Sequence, residues 1–350
     1  MNAGASVDAL SFVVAVHNVG QHVEATLDSL LAAALPADEI IVIDDGSRDD
    51  TAARVAAHPA AGTGQVTLIR QPNQGVATTR LNGLARASRP YVLFFDGDDL
   101  LQAEQLQPVR AALRKHAPDV VLYDFDFFWT SPQLRSQRSP MRSHPPRTLL
   151  HDPEAWLRQA YDDAMSALWS RVVRRSLYDA VLPVHCPRWS VYEDLAASPH
   201  VLAAARSLVY LPVTVVKYRQ RSDSLSTVRS LDACENLVRS ALHAAEARAA
   251  LPASRGVSDA AWCMVARKLV EAVRRAGEAG ARADEIHGRL LQPALHAMGP
   301  DLGLAIRRLQ ASQRFGDRRI AQHLAHIARW PRLYAAFRAA MGKHKARRRA

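Results

Sequence analysis

Residues 40–51 read Ile-Ile-Val-Ile-Asp-Asp-Gly-Ser-Arg-Asp-Asp-Thr, a short apolar run that ends abruptly in charged residues. An unbroken apolar run of this length predicts a strand buried on both faces, as in parallel sheets. The pattern returns at residues 91–99, Tyr-Val-Leu-Phe-Phe-Asp-Gly-Asp-Asp, and at residues 12–16 before His17 and Asn18. Apolar residues at helical spacing separate these runs. The alternation predicts an α/β fold with a mostly parallel sheet covered by helices.

Polar residues directly follow three of the predicted strands, and they are His17, Asn18, Asp44, Asp45 and the run 96–99. Because ligands of open α/β sheets bind at the carboxyl ends of the strands, these residues predict a binding site there. Asp96 and Asp98 are two positions apart, so their carboxylates project to the same side. Two such carboxylates repel each other unless a hard divalent cation binds between them. A polar loop with helix-capping aspartates is the alternative interpretation.

The second half of the chain is organised differently. Residues 131–146 are polar and contain prolines, which predicts an exposed loop. From about residue 230 the apolar spacing is helical throughout, and the predicted breaks between helices are Gly256, Gly277, Gly280 and Gly299. We therefore predict three parts: a domain over residues 1–228, an all-helical region over 229–328, and a basic amphipathic helix with a tail over 329–350.

The net charge of +11 is concentrated at the end of the chain. Residues 329–350 contain eight Lys and Arg and no acid, which leaves about +3 for the remainder. Five large apolar residues lie on one face of the same predicted helix: Trp330, Leu333, Tyr334, Phe337 and Met341. A helix lying on an anionic membrane surface and a helix packed on its own domain are equally favoured. Nucleic acid is not expected as a partner, since no recognition motif accompanies the charge.

The three cysteines, Cys186, Cys234 and Cys263, lie far apart in the sequence. This spacing argues against a disulfide framework and a thiolate zinc site and favours a reducing compartment. No apolar run is long enough for a signal peptide or a membrane span. We predict a cytoplasmic protein, with peripheral attachment at the inner face of the cell membrane as an option.

Seven segments, in order, resemble the motifs of the family 2 glycosyltransferases, which are enzymes of the GT-A fold. They are 12–18, 23–31, 40–51, 73–75 with Arg80 and Gly83, 94–99, 192–194, and 218–221 with Ser224 and Ser226. The resemblance covers roughly residues 10–228. It implies a nucleotide-sugar donor, a Mn²⁺ or Mg²⁺ cofactor bound through the Asp-x-Asp run, and inversion of the anomeric centre.

The resemblance also implies roles for individual residues. Asp44 or Asp45 would bind the edge of the nucleobase. Asp96 would bind the ribose, and Asp98 would bind the metal at the diphosphate. Asp194 would be the general base that takes the proton of the acceptor hydroxyl. Further candidates are Ala15, His17, Asn18, Arg80 and Gly97 in the donor site, and Glu193, Trp169, Arg219 and Arg221 on the acceptor side.

Four positions depart from the family pattern. Ala15 stands in place of the usual Pro and His17 in place of Tyr, which leaves the preferred nucleobase open. Leu81 follows Arg80 where Asn is expected. Gly97 replaces the usual Ser or Ala, which makes the turn more flexible.

Asp194 also has an alternative interpretation, because an acidic residue at the start of a helix is favoured by the helix dipole.

The sequence predicts a metal-dependent inverting glycosyltransferase of the hexosyltransferase type, with a UDP-sugar favoured as donor. The acceptor is predicted to be a hydroxyl of a glycan or a lipid-linked molecule in cell-envelope polysaccharide synthesis. The alternative is a non-catalytic nucleotide-binding protein that serves as a membrane or partner adaptor. An oxidoreductase with a dinucleotide cofactor is disfavoured because no Gly-x-Gly-x-x-Gly follows the first strand.

Overall fold

The computed structural model describes residues 6–129, 137–139, 148–163, 166–189, 191–221, 229–252, 254–314 and 316–349. The chain divides into two compact units. The first comprises Met1–Pro153, Ala167–Arg188 and Ala204–Ser222, and the second comprises Glu154–Ser166, Trp189–Ala203 and Asp223–Ala350. The domain limits inferred from the sequence, at residues 228 and 328, stay predictions.

The first unit is built on a mixed sheet that has ten strands in the described residues. They are β1 (Leu10–Val16), β2 (Glu39–Asp45), β3 (Val66–Gln71), β4 (Tyr91–Asp96), β5 (Leu100–Leu101), β6 (Val120–Trp129), β7 (Gln137–Ser139), β8 (Leu149–Leu150), β9 (Arg171–Arg174) and β10 (Leu208–Gln220). The strand order is β3-β2-β1-β4-β9-β6-β10-β5, with β7 beside β6 and β8 beside β10. The long pairs are parallel, and each antiparallel pair covers two or three residues. The predicted mixed, mostly parallel sheet is confirmed.

The register of the central strands brings the polar strand ends to one edge of the sheet. β1 lies between β2 and β4, with Val16 opposite Asp44 and Ala15 opposite Asp96. The apolar residues before these positions are almost completely buried, which is why the runs carry no alternating polar residue. The edge at which these strands end therefore carries the acidic residues of both β2 and β4.

Helices cover the sheet in the first unit and make up the second unit. They are α1 (Gly20–Ala33), α2 (Thr51–Ala57), α3 (Val76–Leu84), α4 (Ala103–His116), α5 (Pro153–Asp163), α6 (Arg175–His185), α7 (Glu193–Ala204), α8 (Leu231–Glu246), α9 (Arg255–Glu278), α10 (Ala283–Glu285), α11 (Gln292–Met298), α12 (Asp301–Ala311), α13 (Asp317–Arg329) and α14 (Pro331–Arg349). Apart from Pro153 and Ala204, the residues of α5, α7 and α8–α14 belong to the second unit. The predicted helical C-terminal region is confirmed.

A buried ion pair holds α4 in the first unit. Arg110 and Asp38 have no exposed side-chain surface, and an Arg110 nitrogen lies 2.5 Å from a carboxylate oxygen of Asp38. The backbone amides of Leu10 and Leu35 donate hydrogen bonds of 2.8 and 2.6 Å to the same carboxylate. Because both charges are enclosed and well bonded, removal of either partner would leave an uncompensated buried charge.

Two of the predicted glycine breaks are wrong. Gly256 and Gly277 lie inside α9, near its beginning and its end. A Cβ atom at Gly277 would lie 2.5 Å from the backbone oxygen of Arg338 in α14. Glycine at this position thus allows two helices to approach closely. Gly280 and Gly299, by contrast, follow helix ends with φ of 85° and 44°, which glycine adopts readily.

Two further predictions concern the loop and the membrane. The short strand β7 lies within the predicted loop 131–146, whose other residues lie outside the described part of the chain. Among the helices of the described residues, none combines the length and the apolar character needed to span a bilayer.

Candidate functional site

Hydrogen bonds with β1 and α1 hold the acidic turn at the end of β4, residues 96–99. The backbone amide of Gly97 donates to the oxygen of Ala15 at 3.0 Å. The hydroxyl of Thr26 in α1 donates to the backbone oxygens of Gly97 and Asp99, at 3.0 and 2.9 Å. The turn is therefore fixed on one side by β1 and on the other by α1.

Asp99 is the most deeply buried acid of this turn, and sequence reasoning gave it no role. Its side chain is fully enclosed, and one oxygen accepts a hydrogen bond of 2.7 Å from the backbone amide of Arg219. The other carboxylate oxygen has no hydrogen-bond partner among the described residues. Burial raises the pKa of Asp99 well above its usual value, and the charges of Asp98 and Asp96 add to the effect. The sequence feature that could have identified Asp99 is its place as the third acid in the four-residue run 96–99.

Asp98 contacts Arg219, near the end of β10, and Arg221, just beyond that strand. A carboxylate oxygen of Asp98 lies 3.1 Å from Nε of Arg221, and Arg219 donates through Nε to the backbone oxygen of Asp98 at 2.6 Å. Burial first, and then the charge of Asp96, raise the pKa of Asp98 to about 6. Arg219 and Arg221, predicted for the acceptor side, thus lie against the acidic turn, and their role in acceptor binding stays a prediction.

Asp96 is paired with Arg80 of α3. A guanidinium nitrogen of Arg80 lies 2.7 Å from the Asp96 carboxylate, and the Arg80 side chain is 6% exposed. The structure therefore brings two of the predicted donor-site residues into direct contact, which their separation in the sequence did not reveal.

The acidic turn suits a hard divalent cation. Asp96, Asp98 and Asp99 supply carboxylate oxygens within four residues, and Mn²⁺ and Mg²⁺ prefer oxygen ligands. The buried Asp99 oxygen without a hydrogen-bond partner in the described part of the chain is an available ligand atom. Burial first, and then repulsion among the neighbouring carboxylates, raise the pKa values of Asp98 and Asp99, and a bound cation would relieve that repulsion. The residues present therefore fit the predicted metal, whose binding stays a prediction.

Asp45 organises the loop that precedes α3. Its carboxylate accepts three hydrogen bonds of 2.8 Å, from the side-chain amide of Gln71 and the backbone amides of Gln74 and Gly75. Asp44 is completely buried and accepts from the backbone amide of Ser47 at 3.1 Å. Both predicted nucleobase ligands thus shape the walls of the sheet edge, and their contact with a base stays a prediction.

A pocket of about 390 Å³ opens beside these walls. It is lined by His17, Asn18, Gly46, Arg48, Pro72 and Asn73. His17 is exposed, and its Nδ1 lies 2.8 Å from the backbone oxygen of Asp45. The side-chain oxygen of Asn18 accepts from the backbone amide of Arg48 at 2.8 Å. The pocket therefore offers an oriented aromatic ring on which a planar base could stack. Arg48 and Asn73 were not predicted as lining residues.

Trp169 belongs to an aromatic cluster of the first unit. Its ring stacks on Tyr218 with centroids 4.9 Å apart and meets Phe125 edge-on at 4.6 Å. The hydroxyl of Tyr123 donates to the backbone oxygen of Trp169 at 2.6 Å. The side chain is mostly buried, so the cluster fixes the segment before β9 against β6 and β10.

The predicted base lies in the second unit. Glu193 and Asp194 begin α7, and a carboxylate oxygen of Asp194 lies 2.7 Å from the backbone amide of Leu195. The residue before them, Tyr192, has a φ of 67°, which is uncommon for a residue other than glycine. The hydroxyl of Tyr192 accepts a hydrogen bond of 2.6 Å from Arg275 in α9. The position of Asp194 at a helix start agrees with the alternative interpretation, and its role as a base stays a prediction.

The family model described as Glycosyl transferase family 2 matches residues 11–182. Residues 11–182 form a glycosyltransferase family 2 domain. The uncharacterized glycosyltransferase EpsJ of Bacillus subtilis is 33% identical over 98 residues, 28% of this chain and 28% of that protein. A poly-beta-1,6-N-acetyl-D-glucosamine synthase of Staphylococcus epidermidis is 33% identical over 95 residues, 27% of this chain and 23% of that protein. The matched part thus spans about a quarter of these curated relatives.

The fold resembles that of TarS from S. aureus, in agreement with the predicted GT-A type. The TarS 1-349 structure in complex with UDP has a TM-score of 0.62 at 16% identity and covers 98% of this chain and 92% of that chain. The corresponding complex with UDP-GlcNAc has a TM-score of 0.61 at 17% identity, covering 97% and 92%.

Gly97 of the family 2 domain has a structural explanation. A Cβ atom at this position would lie 2.5 Å from Cγ1 of Val16 and 3.2 Å from the backbone oxygen of Ala15. The space that a Ser or Ala side chain would need is therefore filled by the branched side chain of Val16. This glycine reflects close packing of the acidic turn on β1 rather than a need for flexibility.

Proposed function

We propose that this family 2 protein is a metal-dependent inverting glycosyltransferase that uses a UDP-sugar. The sugar would pass to a hydroxyl of a glycan or a lipid-linked acceptor in cell-envelope polysaccharide synthesis. The observation that carries the proposal is the shared sheet edge of the first unit, where the acidic turn, Arg80 and the His17 pocket meet. The name of the Staphylococcus epidermidis relative and the nucleotides in the TarS complexes support a donor of this class.

The donor would bind along this edge. Its uracil would stack on His17 in the pocket, and Asp96 would accept hydrogen bonds from the ribose hydroxyls. Asp98 would hold Mn²⁺ or Mg²⁺, which neutralises the negative charge that develops on the leaving diphosphate. Arg80 and Arg221, which pair with Asp96 and Asp98, would supply further positive charge beside the phosphates.

The acceptor hydroxyl would react with the help of Asp194. As the hydroxyl oxygen bonds to the anomeric carbon, its proton would pass to the Asp194 carboxylate. The bond between the anomeric carbon and the diphosphate oxygen would break on the opposite face, so a single displacement inverts the configuration. The electron pair of that bond leaves with UDP.

The test begins with a thermal-shift screen of nucleotide sugars in the presence of Mn²⁺, followed by transfer assays with the best donor. Asp98→Asn is expected to lose the Mn²⁺-dependent stabilisation by the donor. Asp194→Asn is expected to keep donor binding and lose transfer by about 10²-fold or more, the usual contribution of a general base. Asp284→Asn, an exposed acid of the second unit, is the matched control.

Wild-type turnover in both Asp98→Asn and Asp194→Asn would refute the assigned roles. UDP binding without turnover across a broad panel of acceptors would instead favour the non-catalytic adaptor.

A further inference from the structure

The last helix, α14, is anchored on the second unit along one side. Tyr334, Ala335 and Ala339 are buried, with 7%, 0% and 7% of their surface exposed. Gly277 of α9 lies directly against the backbone of α14 at Arg338. The helix therefore packs on its own domain, which is one of the two interpretations of the sequence.

The other side of α14 exposes a row of large apolar side chains. Trp330, just before the helix, and Leu333, Phe337 and Met341 are 47%, 66%, 52% and 41% exposed. Their spacing of three, four and four residues places them in a single line, which we call the outer stripe. Four of the six exposed large apolar side chains in the described residues belong to it. Such a concentration marks an interaction surface rather than scattered surface residues.

The charged residues of the segment that carries the outer stripe, residues 329–350, are all basic. Arg329 and Arg332 are exposed beside it, and the guanidinium of Arg329 lies over the Trp330 ring at 4.5 Å. The sequence continues along α14 with five more basic residues, Lys343, Lys345, Arg347, Arg348 and Arg349, and has no acid after residue 329. Aromatic residues, Met and Arg are also enriched at protein interfaces, but eight cations without an acid need an anionic partner, and a lipid surface favours apolar residues beside such cations. The combination therefore favours anionic lipid over a protein partner.

We propose that α14 docks this protein on an anionic lipid bilayer through the outer stripe. The four apolar side chains would enter the boundary between headgroups and acyl chains, and the basic residues would contact the lipid phosphates. Tyr334 would stay packed on the domain, so docking needs no unfolding of α14. This surface acts independently of glycosyl transfer, because none of its residues belongs to the sheet-edge site.

The experiment is co-sedimentation of the full chain with vesicles. Vesicles of phosphatidylcholine mixed with phosphatidylglycerol are expected to bind the protein, and vesicles of phosphatidylcholine alone are not. Raising the salt concentration from about 0.1 M to about 1 M should weaken binding by about tenfold or more, since the Debye length falls from about 10 Å to about 3 Å.

Two double variants test the outer stripe itself. Leu333→Ser with Phe337→Ser should lower vesicle affinity by about tenfold or more, because the apolar contribution is lost. Ala336→Ser with Ala340→Ser places the same residues at exposed positions of α14 outside the outer stripe, and it should bind like the wild type. Circular dichroism and thermal melting of each variant check that the fold is intact.

Three results would overturn the proposal. The first is equal loss of binding in both double variants, and the second is equal binding to neutral and anionic vesicles. The third is light scattering that shows a dimer, disrupted by Leu333→Ser with Phe337→Ser, in a protein that binds no vesicle. In that case a second copy of the chain covers the outer stripe.

Discussion

The contact between Gly97 and Val16 permits a sharp test of how the acidic turn is built. In Gly97→Ala the new Cβ would lie 2.5 Å from Cγ1 of Val16, where ordinary contacts are 3.4 to 4 Å. The turn must therefore move away from β1 or Val16 must leave its position. Overpacking of this kind costs about 1–3 kcal/mol of the free energy of unfolding. Since Gly97 joins Asp96 to Asp98, the same movement should weaken UDP binding in the presence of Mn²⁺.

A double-mutant cycle isolates the free energy of the steric contact between positions 16 and 97. Val16→Ala alone removes two buried methyl groups and should cost about 2 kcal/mol, at roughly 0.8 kcal/mol for each group plus a cavity contribution. In the double variant the methyl group introduced at position 97 occupies the space that Val16 vacates. The combined loss should therefore be smaller than the sum of the single losses by about 1–3 kcal/mol.

Urea denaturation of the four proteins, with unchanged slope, measures these differences. Gly62→Ala serves as the matched control, because nothing lies within 4 Å of a Cβ at that glycine. It should leave stability and UDP binding close to the wild type. Losses that add within about 0.5 kcal/mol would refute the packing explanation and would leave turn flexibility as the reason for Gly97.

Three other predictions concern buried charges and the strained residue beside the predicted base. Asp38→Asn leaves the Arg110 guanidinium buried without its counter-charge and should lower the free energy of unfolding by about 3–5 kcal/mol, measured by urea denaturation. Burial acts to raise the pKa of Asp317, but its hydrogen bonds with Arg267 and Ser312, together with the nearby arginine charges, lower the pKa below its usual value of 3.8. The folded protein then binds fewer protons than the unfolded chain, so this contribution is present above about pH 4 and is lost as the pH falls further. A pH series of unfolding curves should show a smaller acid loss in Asp317→Asn than in the wild type. Tyr192→Phe removes the hydrogen bond from Arg275 and should lower kcat without changing the dissociation constant of the donor, and an equal change in both would contradict a positioning role.

Local patterns in the sequence were sufficient to locate the main elements. The unbroken apolar runs of β1, β2 and β4 reflect burial on both faces. The polar residues at the strand ends also follow from local pattern, because all parallel strands in a layer end at the same edge. The location of the candidate site at the carboxyl ends of these strands could therefore be predicted from the sequence.

Contacts between distant segments decided the rest. β9 pairs with β4 and β6 in opposite direction to both, yet it has only four residues, too few for a periodic signal. The sequence did not predict the ion pairs of Arg80 with Asp96 and of Arg221 with Asp98. It also did not separate Tyr334, which is buried, from its exposed apolar neighbours in α14, because burial there depends on which helix packs against which face. The periodicity of apolar residues indicates which side chains are buried. The residues that a buried side chain contacts are determined by packing between elements that are far apart in the chain.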